Sequence, residues 1–280
     1  ALTLLEKALE VARAEELKPT SVRHHIRLPK AQQLHERRDD ARKTYGRLTE
    51  HRPEDKAGWL RLLDFDLQHG DSDEDVRAVI ADAEDALGPD NLLELLVLRA
   101  AWNLLSDHWG EYTAICRDVA ARFGNSAEPR KLYLVARLCA LSREPVVTPK
   151  QLVKMAARAA EEDPKAWHQH TLGLCLMRDG QEAAAIRSFH QSLAQTWHGA
   201  PVNWLGLALA HDAAGQPDQA HKWLSKAQEW RVADPLDSKS VMHPHERIAC
   251  ELLFREAEQR LGRNAEAHPN EPARNERTSP

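Results

Sequence analysis

Residues 166–180 read AWHQHTLGLCLMRDG and residues 201–215 read PVNWLGLALAHDAAG. Laid over one another at an offset of 35, Leu172 meets Leu207, Gly173 meets Ala208 and Gly180 meets Gly215. The register continues past the glycine, with Ala185 on Ala220 and Phe189 on Leu224. Small residues recur where two helices must approach closely, and large apolar ones recur a turn away on the same face. A period of this length decides the architecture before any local detail does.

The punctuation extends the period along the chain. Pro19, Pro53, Pro89, Pro129, Pro164, Pro201 and Pro235 are separated by 34, 36, 40, 35, 37 and 34 residues. Proline belongs at helix boundaries, since it lacks an N–H and pushes its predecessor out of the helical region. Gly70, Gly110, Gly180 and Gly215 fall near mid-unit, where a turn separates two helices. The reading is about six hairpins over 20–235, each of two helices of roughly 14 residues. The expected pairs are 56–69 with 72–87, 91–106 with 110–123, 127–142 with 149–162, 165–179 with 181–195, and 202–214 with 217–231. The first unit is least regular: its back helix, 37–51, is clear, but Pro29 interrupts the front one. Residues 1–17 read as half a repeat, as if the chain were a fragment. Residues 244–262 read as a capping helix with an inward stripe of Ile248, Leu252, Leu253 and Leu261, and arrays need such a cap. The stretch 263–280 has almost no large apolar residue, so it reads as a disordered polar tail.

Composition agrees with an all-α chain. Of 280 residues, 41 are Ala and 37 are Leu, whereas Val, Ile and Thr together number 27. Unbranched side chains lose little rotamer freedom in a helix and β-branched ones lose more. No apolar run approaches the roughly 18 residues that a membrane span requires. Cys116, Cys139, Cys175 and Cys250 stand far apart with no C-x-x-C pair, so they read as reduced core residues and suit a cytoplasmic setting.

The repeat resembles the tetratricopeptide (TPR) family. Trp204, Leu207, Ala208, Gly215, Ala220, Leu224 and Ala227 carry the resemblance in one unit, and Leu172, Gly173, Gly180, Ala185 and Phe189 in another. Trp59, Leu62 and Gly70 fit a front half, and Ala41, Tyr45 and Pro53 a back half. The resemblance implies an α-solenoid of TPR-like helical hairpins forming a right-handed superhelix, with the front helices lining a concave groove. It also implies groove residues: Leu60, Asp64, Leu67 and Gln68; His170, Leu174, Met177 and Arg178; and Leu205, Leu209, Asp212 and Ala213. The basic-and-Asn clamp that some TPR domains use for a terminal carboxylate is absent, since Gly206 and Leu209 stand where polar residues belong. Residues 119–262 are also similar to the TPR tails of large bacterial proteins that carry a Ser/Thr kinase or WD40 domain upstream.

Chemistry is sparse. No nucleotide-binding glycine motif, H-E-x-x-H or G-x-S-x-G occurs. Fifteen histidines invite a metal reading, yet His24-His25, His168/His170 and His243/His245 lack ligands at helical spacing. No catalytic residue, metal or cofactor is assigned. Charge is uneven: 18–61 holds twelve Lys/Arg against six Asp/Glu, and 64–94 holds eleven Asp/Glu against one Arg. These stretches are either docking surfaces or solvated outer faces. The expected function is a non-catalytic protein-interaction scaffold, the C-terminal arm of a larger bacterial signalling protein, binding a peptide or partner helix in its groove. The alternatives are nucleic-acid binding through 18–61, a histidine-dependent metal protein or enzyme, and self-association through the groove.

Overall fold

The computed structural model describes residues 38–69, 73–144, 146–233 and 244–267. Among them the chain forms twelve α-helices, one 3-10 turn (Pro89–Asn91) and no strand. The helices are α1 (Arg38–His51), α2 (Lys56–His69), α3 (Asp73–Leu87), α4 (Leu93–Leu105), α5 (Trp109–Phe123) and α6 (Pro129–Ala140). They continue as α7 (Pro149–Glu162), α8 (Ala166–Arg178), α9 (Glu182–Leu193), α10 (Ala200–Ala213), α11 (Pro217–Ala233) and α12 (Pro244–Ala267). The half repeat expected at 1–17, the front helix before residue 37, Gly70 and the tail from 268 lie outside the described residues.

The breakers act where their chemistry places them. Pro129 and Pro149 sit at the first position of α6 and α7, where the missing N–H costs no intrahelical bond. Gly180 and Gly215 adopt φ of 71° and 70° at the turns α8–α9 and α10–α11. Both turns close the same way. The N–H of Gln181 donates to Leu176 O at 2.9 Å and that of Gly180 to Met177 O at 3.2 Å; Gln216 and Gly215 repeat the pair on His211 O and Asp212 O. This is the Schellman arrangement, which satisfies two orphan carbonyls and needs a left-handed residue. Gly110 does not serve such a turn, contrary to the sequence expectation, because it falls inside α5. The left-handed residue there is Asp107, with φ of 63°, and His108 and Asp107 donate to Asn103 O and Leu104 O in the same pattern.

Each hairpin packs on the next. The front helices α2, α4, α6, α8 and α10 touch one another in chain order, whereas the back helices α1, α3, α5, α7, α9 and α11 make no comparable contact among themselves. A stack in close contact along one side and open along the other bends toward the contact side, which makes the front helices the concave lining. The fold is an all-α solenoid of TPR-like helical hairpins. One close approach is at Phe189, fully buried on α9. A Cβ on Gly173 would lie 2.8 Å from that ring, and one on Gly206 2.5 Å from it, so α8 and α10 clamp the ring only because both positions are glycine.

The last helix departs from the expected cap. It extends to Ala267, five residues past the expected boundary at 262, with Gly262 inside it. It packs on α10 and on α4, two front helices far apart in the array, and touches α11 less. A cap needs one apolar face. Here Ile248, Ala249, Cys250, Leu253, Phe254, Ala257 and Leu261 are each at most 2% exposed. Small residues widen the large-residue stripe into a broad apolar face, while Arg255, Glu258 and Gln259 stay exposed on the rest of the helix.

Candidate functional site

The concave side is a trough whose walls are the front helices, and α12 lies in it. The three charged residues expected in the groove each bind this helix. Asp64 on α2 accepts from Arg247 Nη2 at 2.9 Å. Arg178 on α8 donates to both carboxylate oxygens of Glu256, at 2.7 and 2.6 Å. Asp212 on α10 accepts from Arg260 at 2.9 Å. The Arg178 and Glu256 side chains are only 10% and 7% exposed, so the pair is bidentate and nearly dry. Arg143 and Arg260 also approach Glu256, at 3.6 and 3.9 Å, placing three guanidinium groups around one carboxylate.

Arg178 does more than hold α12. Its Nε donates to Ala140 O at 2.9 Å and its Nη2 to Leu141 O at 3.1 Å, at the C-terminal end of α6. Arg255 on α12 likewise donates to Leu105 O, the last residue of α4, at 2.6 Å. Cations at helix C-termini satisfy orphan carbonyls and oppose the negative end of the helix dipole.

Below the first turn of α12 the fit is poorer. Arg137 on α6 is 2% exposed, and its Nη1 donates to the Tyr133 hydroxyl at 2.8 Å. Glu246 of α12 comes only to 4.0 Å. Arg137 Nη2 has no hydrogen-bond partner among the described residues, nor do Asn103 Nδ2 on α4 and Thr171 Oγ1 on α8. Each such buried group costs about 1–3 kcal/mol.

The remaining expected groove residues divide. Leu67, Leu174, Met177, Leu205 and Leu209 are buried, Leu60 is half-buried and Ala213 is exposed. The side chain of Gln68 lies outside what is described. His170 is 1% exposed and is bound to the next front helix. Its Nδ1 donates to Asn203 Oδ1 at 3.0 Å, and its ring lies 5.6 Å from Phe189 and 5.7 Å from Trp197. Asn203 Nδ2 donates in turn to Ser192 Oγ, which donates to Ala166 O, so one polar chain ties α8, α9 and α10. Burial drives the His170 pKa down to about 3, so the imidazole is neutral at ordinary pH. Sequence reasoning missed Arg137, Glu246, Arg247, Glu256 and Arg260. Alternating charges on the last helix were the available signal, but the reading of that helix stopped at its apolar stripe.

The two oppositely charged stretches meet each other. Arg42 donates to Asp66 at 2.8 and 3.0 Å and lies 3.4 Å from Asp75. Lys56 and Arg130 share Glu94 at 2.8 and 3.1 Å. Between them, α1, α2 and α3 enclose a cleft of about 960 Å³ with Arg42, Lys43 and Arg47 on one wall and Asp82 and Asp85 on another. Trp59 and Leu62 form its apolar floor, and Trp59 Nε1 donates to Pro53 O.

All four cysteines are buried free thiols; burial raises the pKa of Cys175 and Cys250, and a hydrogen bond with Cys116, followed by burial, raises that of Cys139. Among the described residues no group of His, Cys, Asp and Glu is placed to hold a metal ion, and no helix is long and apolar enough to cross a membrane.

No protein-family model matches this chain, and no curated protein matches it. A solved structure, that of the MamA protein, is similar over 76% of this chain and 94% of its own, at 14% identity and a TM-score of 0.33. The fold stated above stands on the helix pairing of this chain, not on that likeness.

Proposed function

We propose that this chain is a non-catalytic protein-interaction scaffold whose concave groove receives an amphipathic helix. One observation carries the reading: a helix is seated there, held by Asp64, Arg178 and Asp212 from three different front helices. A trough of fixed walls with apolar lining and a few convergent charges is the usual receptor for a partner helix. Because the walls are preformed, most of the ordering cost of binding falls on the ligand.

Two alternatives lose support. The basic residues of 38–61 are partly consumed by the acidic stretch, as Arg42–Asp66 and Lys56–Glu94 show, which leaves less charge for phosphates. Within the described residues, the most perturbed histidine sits in a structural network instead of an open cleft. The similarity of 119–262 to the tails of bacterial signalling proteins, together with the buried free thiols, is consistent with an interaction arm working in the cytoplasm.

The test is direct binding by fluorescence anisotropy at about 0.15 M salt. A labelled synthetic helix of residues 244–262 is titrated with the full chain carrying Glu256→Arg, beside single-stranded RNA and duplex DNA. Saturable binding of the peptide and none of the nucleic acids is expected. The reverse pattern would overturn the proposal.

A further inference from the structure

We infer that α12 is an exchangeable occupant of the groove, and that the partner competing with it is an amphipathic helix bearing a carboxylate that reaches Arg137. This rests on the reading of the groove as a helix receptor, and it adds the partner's chemistry and its control.

Three features of α12 are those of a ligand. Its anchors are spread over four front helices: Asp64 is 183 residues away in sequence, Leu105 is 150, Glu256 reaches 78 to Arg178, and Asp212 is 48 from Arg260. It is tethered by residues 234–243, a stretch that can reach at most about 33–36 Å if extended. A released α12 would therefore stay near its groove at an effective concentration of order millimolar.

The fit of α12 is also incomplete at one end. Arg255, Glu256 and Arg260, farther along the helix, are each paired at 2.6–2.9 Å. Under its first turn, Arg137 is 2% exposed, Glu246 stops at 4.0 Å, and Arg137 Nη2 has no hydrogen-bond partner among the described residues. A buried guanidinium favours any occupant that brings a carboxylate into bidentate range. The geometry thus specifies the competitor. It has a basic residue opposite Asp64, an acid on Arg178, a base on Asp212, and a closer acid on Arg137 than Glu246 supplies. Its affinity for the intact chain is reduced by the fraction of molecules in which α12 is released.

The experiment uses full-length chains and the labelled 244–262 peptide. Glu256→Arg sets like charges against Arg178, Arg143 and Arg260 and is expected to tighten peptide binding at least about tenfold over wild type. Adding Arg178→Glu restores the internal pair with reversed charges and is expected to abolish the gain. Arg260→Gln, a milder change, is expected to tighten binding roughly threefold, and it decides the matter if circular dichroism shows that Glu256→Arg has lost its helices. A Glu246→Gln peptide is expected to bind the opened chain several-fold less well; equal binding overturns the role given to Arg137. Equal affinity of the native peptide for wild type and for the folded variants overturns the exchange while leaving the receptor reading intact. No binding to any folded chain overturns that reading itself.

Discussion

The hairpins α8/α9 and α10/α11 bury their side chains as completely as α12 does, but by the opposite route. Phe189, Ala208, Ala220 and Ala227 are buried against neighbours close in sequence, and the polar chain from His170 to Asn203 spans 33 residues. Leu253 and Phe254 of α12 are equally buried, yet the pairs that orient them cross as many as 183 residues. Nearest-neighbour contacts make an array whose stability is close to a sum of unit and interface terms. A helix whose polar anchors come mostly from distant front helices, with Arg231 of α11 its nearest partner in sequence at 3.2 Å from Glu251, adds its own free energy of docking to that sum. The difference separates a scaffold from its occupant.

The sharpest way to break the scaffold side is Phe189→Ala. The ring is fully buried between Gly173 and Gly206, so the change is expected to cost about 3–5 kcal/mol in urea denaturation, with loss of the entire transition instead of part of it. On the occupant side, Arg178→Ala leaves Glu256 without its bidentate partner and uncaps α6, and is expected to cost about 3 kcal/mol. Glu256→Ala is expected to cost a similar amount and the double variant less than the sum, as coupling requires.

Acid separates the two regions further. The His170 pKa is about 3 in the folded protein and near 6.5 unfolded. Its contribution is complete above pH 6.5. It is lost as pH falls from there toward 3, because the unfolded chain then binds a proton the folded one refuses. The expected loss is about 2 kcal/mol by pH 5, and His170→Gln is expected to flatten that part of the pH–stability curve. The smallest effect is a gain. Asp107 holds a left-handed φ that Gly180 and Gly215 hold at the corresponding turns, so Asp107→Gly is expected to add about 0.5–1 kcal/mol, read as a rise in Tm.

The array was legible because its boundaries are written in residue types with backbone consequences. The five expected hairpin pairs from residue 56 onward fall within two residues of the observed helix ends, since proline and glycine mark them. The one misplaced turn follows from the same logic: Asp107 takes the glycine's conformation without the glycine's signal, and Gly110 drew the reading to itself. Register on the front helices also led to Asp64, Arg178 and Asp212, each of which pairs with α12. The seat of α12 was not legible, because nothing in a helix's own period names a contact 183 residues away. Its stripe of Ile248, Leu252, Leu253 and Leu261 reads as one narrow face, and only packing shows that Ala249, Cys250 and Ala257 widen it.

Native-state hydrogen exchange on the full chain tests the central claim most directly. If α12 is an occupant, its amides open by a sub-global event of lower free energy than that of α8 and α10, and Glu256→Arg lowers that protection while leaving α8–α11 unchanged. Protection of α12 equal to that of α8 and α10, falling together with theirs in the variant, would show the helix to be an inseparable part of the core and would contradict the account.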